Sequence, residues 1–141
     1  MKPLKEALFS RRNLNKELIL SHKEKWYAEY LSLVCTLSKG KQIFNIHYKL
    51  DTKYPPEIQS FETTISIGEA GAKILQDFIE NYDDYDSHIF IDGVKKHTGI
   101  DIDLGFRMQI IDNDYSKEMD IDYYLIPTEI DELKNYLKAN L

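Results

Sequence analysis

Carboxylates recur at alternate positions in the second half of the sequence. Asp101 and Asp103 form one pair, Asp120 and Asp122 another, and Asp112, Asn113 and Asp114 lie between them. Such side chains are the hard oxygen donors that calcium and magnesium take, and alternate spacing would set each pair on one face of a strand. The calcium frame fails in detail. A calcium loop counted from Asp112 puts Asp114 third and Ser116 fifth. Lys117 then stands where the loop turns on glycine, and Tyr123 where it needs a bidentate glutamate. Carboxylates along a strand face are ordinarily solvated, and charge there also guards a sheet edge. Asp101, Asp103, Asp120 and Asp122 are therefore read as an acidic face for a protein partner, with no metal and no cofactor implied.

The other reactive residue types form no catalytic pattern. His22, His47, His88 and His97 show neither HxH nor HExxH spacing. Cys35 stands among Leu33, Val34 and Leu37, the setting of a small buried hydrophobe rather than of an activated thiol. Gly68, Gly71, Gly93, Gly99 and Gly105 match neither the dinucleotide nor the P-loop spacing, and no nucleophile elbow is present. A small enzyme is thus the third reading, and it requires His47, His88 or His97 to converge with carboxylates in a pocket.

The elements that position the aspartates are legible from alternation. From 100 to 110 every even residue is apolar (Ile100, Ile102, Leu104, Phe106, Met108, Ile110), which predicts one half-buried strand. Past a polar turn over 112–118, Met119, Ile121, Tyr123 and Leu125 resume the alternation as the second strand of an antiparallel hairpin. In that register Asp122 falls near Arg107 or Gln109, where an Arg107–Asp122 pair is economical. Asp103 would lie roughly 13–20 Å further along, at about 3.3 Å per residue.

Upstream, Trp26 to Leu37 fits both helical and strand periods, and the turn Ser38–Lys39–Gly40–Lys41 selects a strand at 27–37 leading into Phe44, Ile46, Tyr48 and Leu50. Pro55 and Pro56 end that strand, and Phe61, Thr63, Ile65 and Ile67 form the next. Ser66 with Glu69 has capping-box spacing, and Ala70, Ile74, Phe78 and Tyr82 step along the helix that follows. His88–Ile91 and Val94–His97 flank Asp92–Gly93 as a hairpin. Pro127 and Thr128 open a last helix with Glu129 and Glu132 in its first turn, and Ile130, Leu133, Leu137 and Leu141 as its inner stripe. The expected fold is α+β: a predominantly antiparallel sheet of five to seven strands packed by two amphipathic helices. No internal repeat is visible.

Residues 1–24 read as a basic amphipathic arm, distinct from a single domain over 25–141. Pro3 suits a first helical position, Leu4, Ala7 and Leu8 share one face, and Arg11 and Arg12 precede a restart at Leu14 and Leu18. Segments this short need something to dock on. The opening from Met1 to Leu14, MKPLKEALFSRRNL, resembles a leader found on proteins of gut Bacteroides and their crAss-like phages. That resemblance implies a phage or prophage protein whose arm, through Leu4, Leu8, Arg11 and Arg12, docks on a virion or host component.

Length and composition bound the rest. A chain of 141 residues with 43% hydrophobic and 30% charged content builds one domain with a real core. No apolar run reaches the roughly 20 residues of a membrane span, and the single cysteine excludes an internal disulfide. A reducing cytoplasm, or a virion if phage-encoded, is the expected location. Lys and Arg outnumber acids 11 to 5 over residues 1–53, whereas acids lead 3 to 1 over 54–76 and 16 to 6 over 77–141. Copies of the chain could use that asymmetry to associate head to tail. Arg11, Arg12, Lys16, Lys23, Lys25, Lys39 and Lys41, with Trp26 and Tyr27 interleaved, would suit nucleic acid, but a pI near 5.2 opposes a phosphate backbone. The leading expectation is a non-enzymatic protein-interaction domain; the alternative is an acidic inhibitor or immunity-type protein blocking a basic partner.

Overall fold

Alternating side chains and tight turns build two antiparallel meanders, each ending in a helix. The computed structural model describes residues 17–54, 57–81, 88–103, 105–114 and 117–141. In chain order these are β1 (Glu17–Lys23), β2 (Tyr27–Ser38), β3 (Lys41–Tyr54), β4 (Glu57–Gly68) and α1 (Glu69–Asn81), then β5 (His88–Asp92), β6 (Thr98–Asp103), β7 (Arg107–Asp114), β8 (Lys117–Tyr124) and α2 (Pro127–Asn140). The described strands form two four-stranded sheets, β1-β2-β3-β4 and β5-β6-β7-β8. The expected α+β class holds, but the single sheet of five to seven strands is two sheets. The order of four strands and a helix occurs twice without any sequence repeat, because the two sets of strands differ in length and residue content.

The first sheet shows why the strand reading of 27–37 is right. Ser38 pairs with Lys41, leaving Lys39 and Gly40 as the two turn residues, both with positive φ. That is the hairpin turn whose twist matches its strands, and glycine enters it without steric cost. On the core side, Leu20, Leu31, Tyr48 and Thr63 form one cross-strand row, and Leu18, Leu33, Ile46 and Ile65 the next. The helical arm expected over 1–24 is overturned from Glu17 on, where the chain is strand β1. Leu18, one half of the Leu14–Leu18 pair that suggested a docking helix, faces the core from that strand together with Leu20, and Leu14 lies outside the described residues. Leu4, Leu8, Arg11 and Arg12 lie outside the described residues.

The second sheet corrects two expectations. The run 100–110 is not one strand but two, β6 and β7, folded back on each other with Ile100 opposite Ile110 and Ile102 opposite Met108. A fold-back that pairs even residues with even residues leaves the period-two pattern unbroken, so the turn is silent in the apolar spacing. Asp103 makes the turn: its Oδ1 accepts from the N–H groups of Gly105 and Arg107 at 3.1 and 3.3 Å, and Phe106 takes a φ of 52°. Likewise, Val94–His97 is no strand. Residues 93–97 connect β5 to β6, which pair through Ile91 and Ile100.

Helix α1 buries Ala72, Leu75 and Ile79 rather than the stripe through Ala70 and Ile74, which are exposed. Ser66 is not its cap. It belongs to β4, and its hydroxyl donates to Asn45 on β3 at 2.7 Å. Helix α2 buries Ile130, Leu133 and Leu137 as expected, with Tyr136 added. α1 packs on β3, β4, β5 and α2, α2 reaches β1, and β4 meets β6 and β7. Buried side chains from both sheets and both helices join in one core. None of the described helices is long and apolar enough to cross a membrane.

Candidate functional site

Two polar constellations stand out from this framework, one on the outer face of the second sheet and one buried at the edge of the core. On the outer face, cross-strand register sets Phe90, Asp101, Gln109 and Asp122 in one row across β5, β6, β7 and β8. Asp103 lies opposite His88, Arg107 opposite Tyr124, and Asp120, placed by register, opposite Ile111. Three of the sequence-derived aspartates thus share a face with one another, and the backbone of the fourth continues it. Phe90 and Tyr124 stand 49% and 58% exposed on that face.

The fold-back also revises the predicted separation of the aspartates. The Arg107 guanidinium lies 3.1 Å from Asp103 and 3.9 Å from Asp122, so the economical Arg107–Asp122 pair exists and Asp103 shares it. Asp103 is not 13–20 Å away along a continuous strand, because the turn carries it back to the same arginine. His88 Nδ1 sits 3.6 Å from Asp101. These half-exposed pairs are each worth a few tenths of a kcal/mol to about 1. Acids still outnumber fixed cations: Asp92, Asp101, Asp103 and Asp122 against Arg107 alone among the described side chains of this face. Glycine has a steric role here. A Cβ on Gly99 would stand 2.6 Å from the Ile91 carbonyl oxygen and 2.6 Å from the Phe90 ring, so the ring closely approaches bare backbone.

The buried constellation was not anticipated. His22 is on the inner face of β1, directly opposite Glu29 on β2. Its Nδ1 is 2.8 Å from Glu29 Oε1 and its Nε2 is 2.7 Å from Glu129 Oε1 at the start of α2. The Tyr48 hydroxyl donates to Glu29 Oε2 at 2.8 Å, and the Tyr123 hydroxyl donates to Glu129 Oε2 at 2.7 Å. The Ile126 N–H donates to Glu129 Oε1 at 3.0 Å, which caps the helix. Tyr123 stacks on the His22 ring with centroids 4.5 Å apart and meets Tyr48 edge-on at 6.4 Å. Glu129, only 5% exposed, therefore accepts from three donors, as a buried carboxylate must.

The electrostatics follow from this geometry. Burial alone would lower the His22 pKa, but hydrogen bonds to Glu129 and Glu29 outweigh it, and the value rises above 6.5. Burial, then the bonds to Glu129 and Glu29 respectively, push the Tyr123 and Tyr48 phenols well above their usual range. With both ring nitrogens held by carboxylates, His22 has no lone pair or proton free to offer a substrate, and the cluster acts as a clasp between β1, β2, β8 and α2.

The histidines considered for catalysis do not converge. His47 lies on the outer side of β3 with Thr64 at 2.6 Å and Glu62 at 3.1 Å, His88 is on the second sheet, and His97 sits in the 93–97 connection. The clasp was missed because Lys23–Glu24–Lys25 reads as the charged end of an arm and Glu129 as a solvated first-turn acid. The available signals were the alternation Leu18, Leu20, His22 and a glutamate three residues beyond the helix cap. Among the described residues, no group of three or more His, Cys, Asp and Glu side chains is arranged to hold a metal ion. No family model, no curated protein and no solved structure matches this chain.

Proposed function

We propose that this chain is a non-enzymatic protein-interaction domain that receives a basic protein partner on the outer face of its second sheet. The observation that carries the reading is the row Phe90–Asp101–Gln109–Asp122, with Tyr124 exposed beside Arg107. Exposed aromatic rings supply the apolar anchor of a binding surface, and carboxylates around them steer a cationic partner and repel phosphate backbones. Nucleic acid and membrane are accordingly disfavoured as ligands. A partner that itself binds nucleic acid, or a basic toxin, presents the complementary surface, and toward such a partner the domain would act as an inhibitor or immunity protein. The resemblance of residues 1–14 supports extending this reading to a phage- or prophage-encoded protein whose arm provides a second docking element.

An arginine-rich peptide serves as the probe, with affinity followed across a salt series. Asp101→Asn, Asp103→Asn and Asp122→Asn combined should weaken binding about tenfold and flatten its salt dependence. Asn keeps the turn-forming oxygen of Asp103. Glu80→Gln, Asp131→Asn and Glu132→Gln combined remove the same charge from exposed helix positions and should change little. Equal weakening by both triple variants would reduce the effect to net charge and dispose of the face.

A further inference from the structure

An edge strand presents unpaired backbone N–H and C=O groups, a template on which another strand can form. β1 bounds the first sheet, and among the described residues only β2 pairs with it. It is regular over Glu17–Lys23, with neither proline nor positive φ. Ile19 stands 62% exposed on the outer face. The other edges are blunted. On β4 the Ser66 carbonyl accepts from the Val94 N–H at 2.7 Å. β5 has five residues, and the sequence of β8 is net acidic, a composition that discourages edge pairing.

The residues of β1 complement their own reverse. Laid antiparallel on a second copy about Leu20, Glu17 falls opposite Lys23, Leu18 opposite His22 and Ile19 opposite Ser21. Two-fold symmetry makes each contact twice, giving two Glu17–Lys23 pairs on the wet face and Leu20 against Leu20 on the core side. Centring the axis on Ile19 sets Glu17 opposite Ser21, and centring it on Ser21 sets Lys23 opposite Ile19, so moving the axis by one residue either way, a two-residue slip in register, loses the charge match. We propose that two copies of this chain associate through antiparallel β1–β1 pairing about Leu20, joining their first sheets into one continuous sheet. The proposal uses no residue of the acidic face and stands independently of the function assigned to it.

Sedimentation equilibrium of the full chain over a dilution series tests it. The unmodified chain dimerises. Glu17→Lys alone, or Lys23→Glu alone, replaces two attractive pairs with two like-charge pairs and weakens the dimer about tenfold. Mixing the two single variants sets only opposite charges across the ribbon and restores association, a result that misfolding of either variant cannot produce. An unmodified chain that stays monomeric throughout the series overturns the proposal. So does a dimer indifferent to the single reversals, or a mixture no tighter than its components.

Discussion

Glu129 follows His22 by 107 positions in the chain and lies 2.7 Å from it in space. A ring from an edge strand thereby holds the first turn of the last helix. The neighbouring carboxylate of Glu29 at 2.8 Å fixes the ring from the other side. The arrangement is strongest when both ring nitrogens carry protons, since a neutral imidazole donates only once and would turn a lone pair toward one carboxylate.

Stability should therefore depend on pH through His22. Its pKa is raised in the fold above 6.5, so the stability it contributes is fully present below 6.5 and is lost as pH rises through the folded value. Thermal midpoints measured from below pH 6.5 upward should fall across that window, and His22→Gln should remove this part of the slope. A midpoint that instead climbs through the window in the unmodified chain, and not in the variant, would mean that the ring is neutral when folded.

Removing the acceptor should cost more than removing one donor. Glu129→Ala strands the Tyr123 hydroxyl and the His22 ring and uncaps α2, for a loss on the order of 3 kcal/mol in urea denaturation. Tyr123→Phe removes a single bond and should cost about 1 kcal/mol. The double variant should fall short of the sum, because both changes act on one network.

A second buried carboxylate joins the two sheets. Asp112 on β7, 7% exposed, accepts from the Thr63 hydroxyl on β4 at 3.0 Å. Asp112→Ala should cost about 1–3 kcal/mol, and Asp112→Asn, which keeps an acceptor oxygen, less. Equal losses would show that charge rather than the shared hydrogen matters at this contact.

Gly99→Ala tests the close approach under Phe90. Its Cβ would meet the Ile91 carbonyl oxygen and the Phe90 ring, each at 2.6 Å, and the strand pair must shift, at a cost of about 2 kcal/mol. Repeating the substitution in a Phe90→Ala background relieves the ring contact but not the backbone one. The penalty should shrink there without vanishing.

Much of the fold could be read from residue spacing, and the exceptions have physical reasons. β2, β3 and β4 were legible because alternation was bracketed by Lys39–Gly40 and by Pro55–Pro56. The β6–β7 fold-back was not, because it pairs Ile100 with Ile110 and Ile102 with Met108 and leaves parity intact. For the same reason Asp101, Asp103 and Asp122 were assigned to the wet face correctly although the strand carrying the first two was drawn too long. The stripe of α1 was misplaced by following steps of four alone, whereas the helix turns Ala72, Leu75 and Ile79 inward. The clasp was illegible for another reason. The alternation Leu18, Leu20, His22 turns the ring inward, but its partners come from distant segments and no local period pairs it with Glu29 and Glu129.

The Tyr123–Glu129–His22 link has a consequence for how the molecule is made. A ribosome must add 107 residues after His22 before the side chain that completes its surroundings exists. Until then the His22 ring has Glu29 alone of the two carboxylates that hold it. The first meander can form early from its own short-range turns, but its outermost strand is locked only when the last helix closes over it, so this strand should be the latest part of the first sheet to gain protection from solvent exchange during refolding.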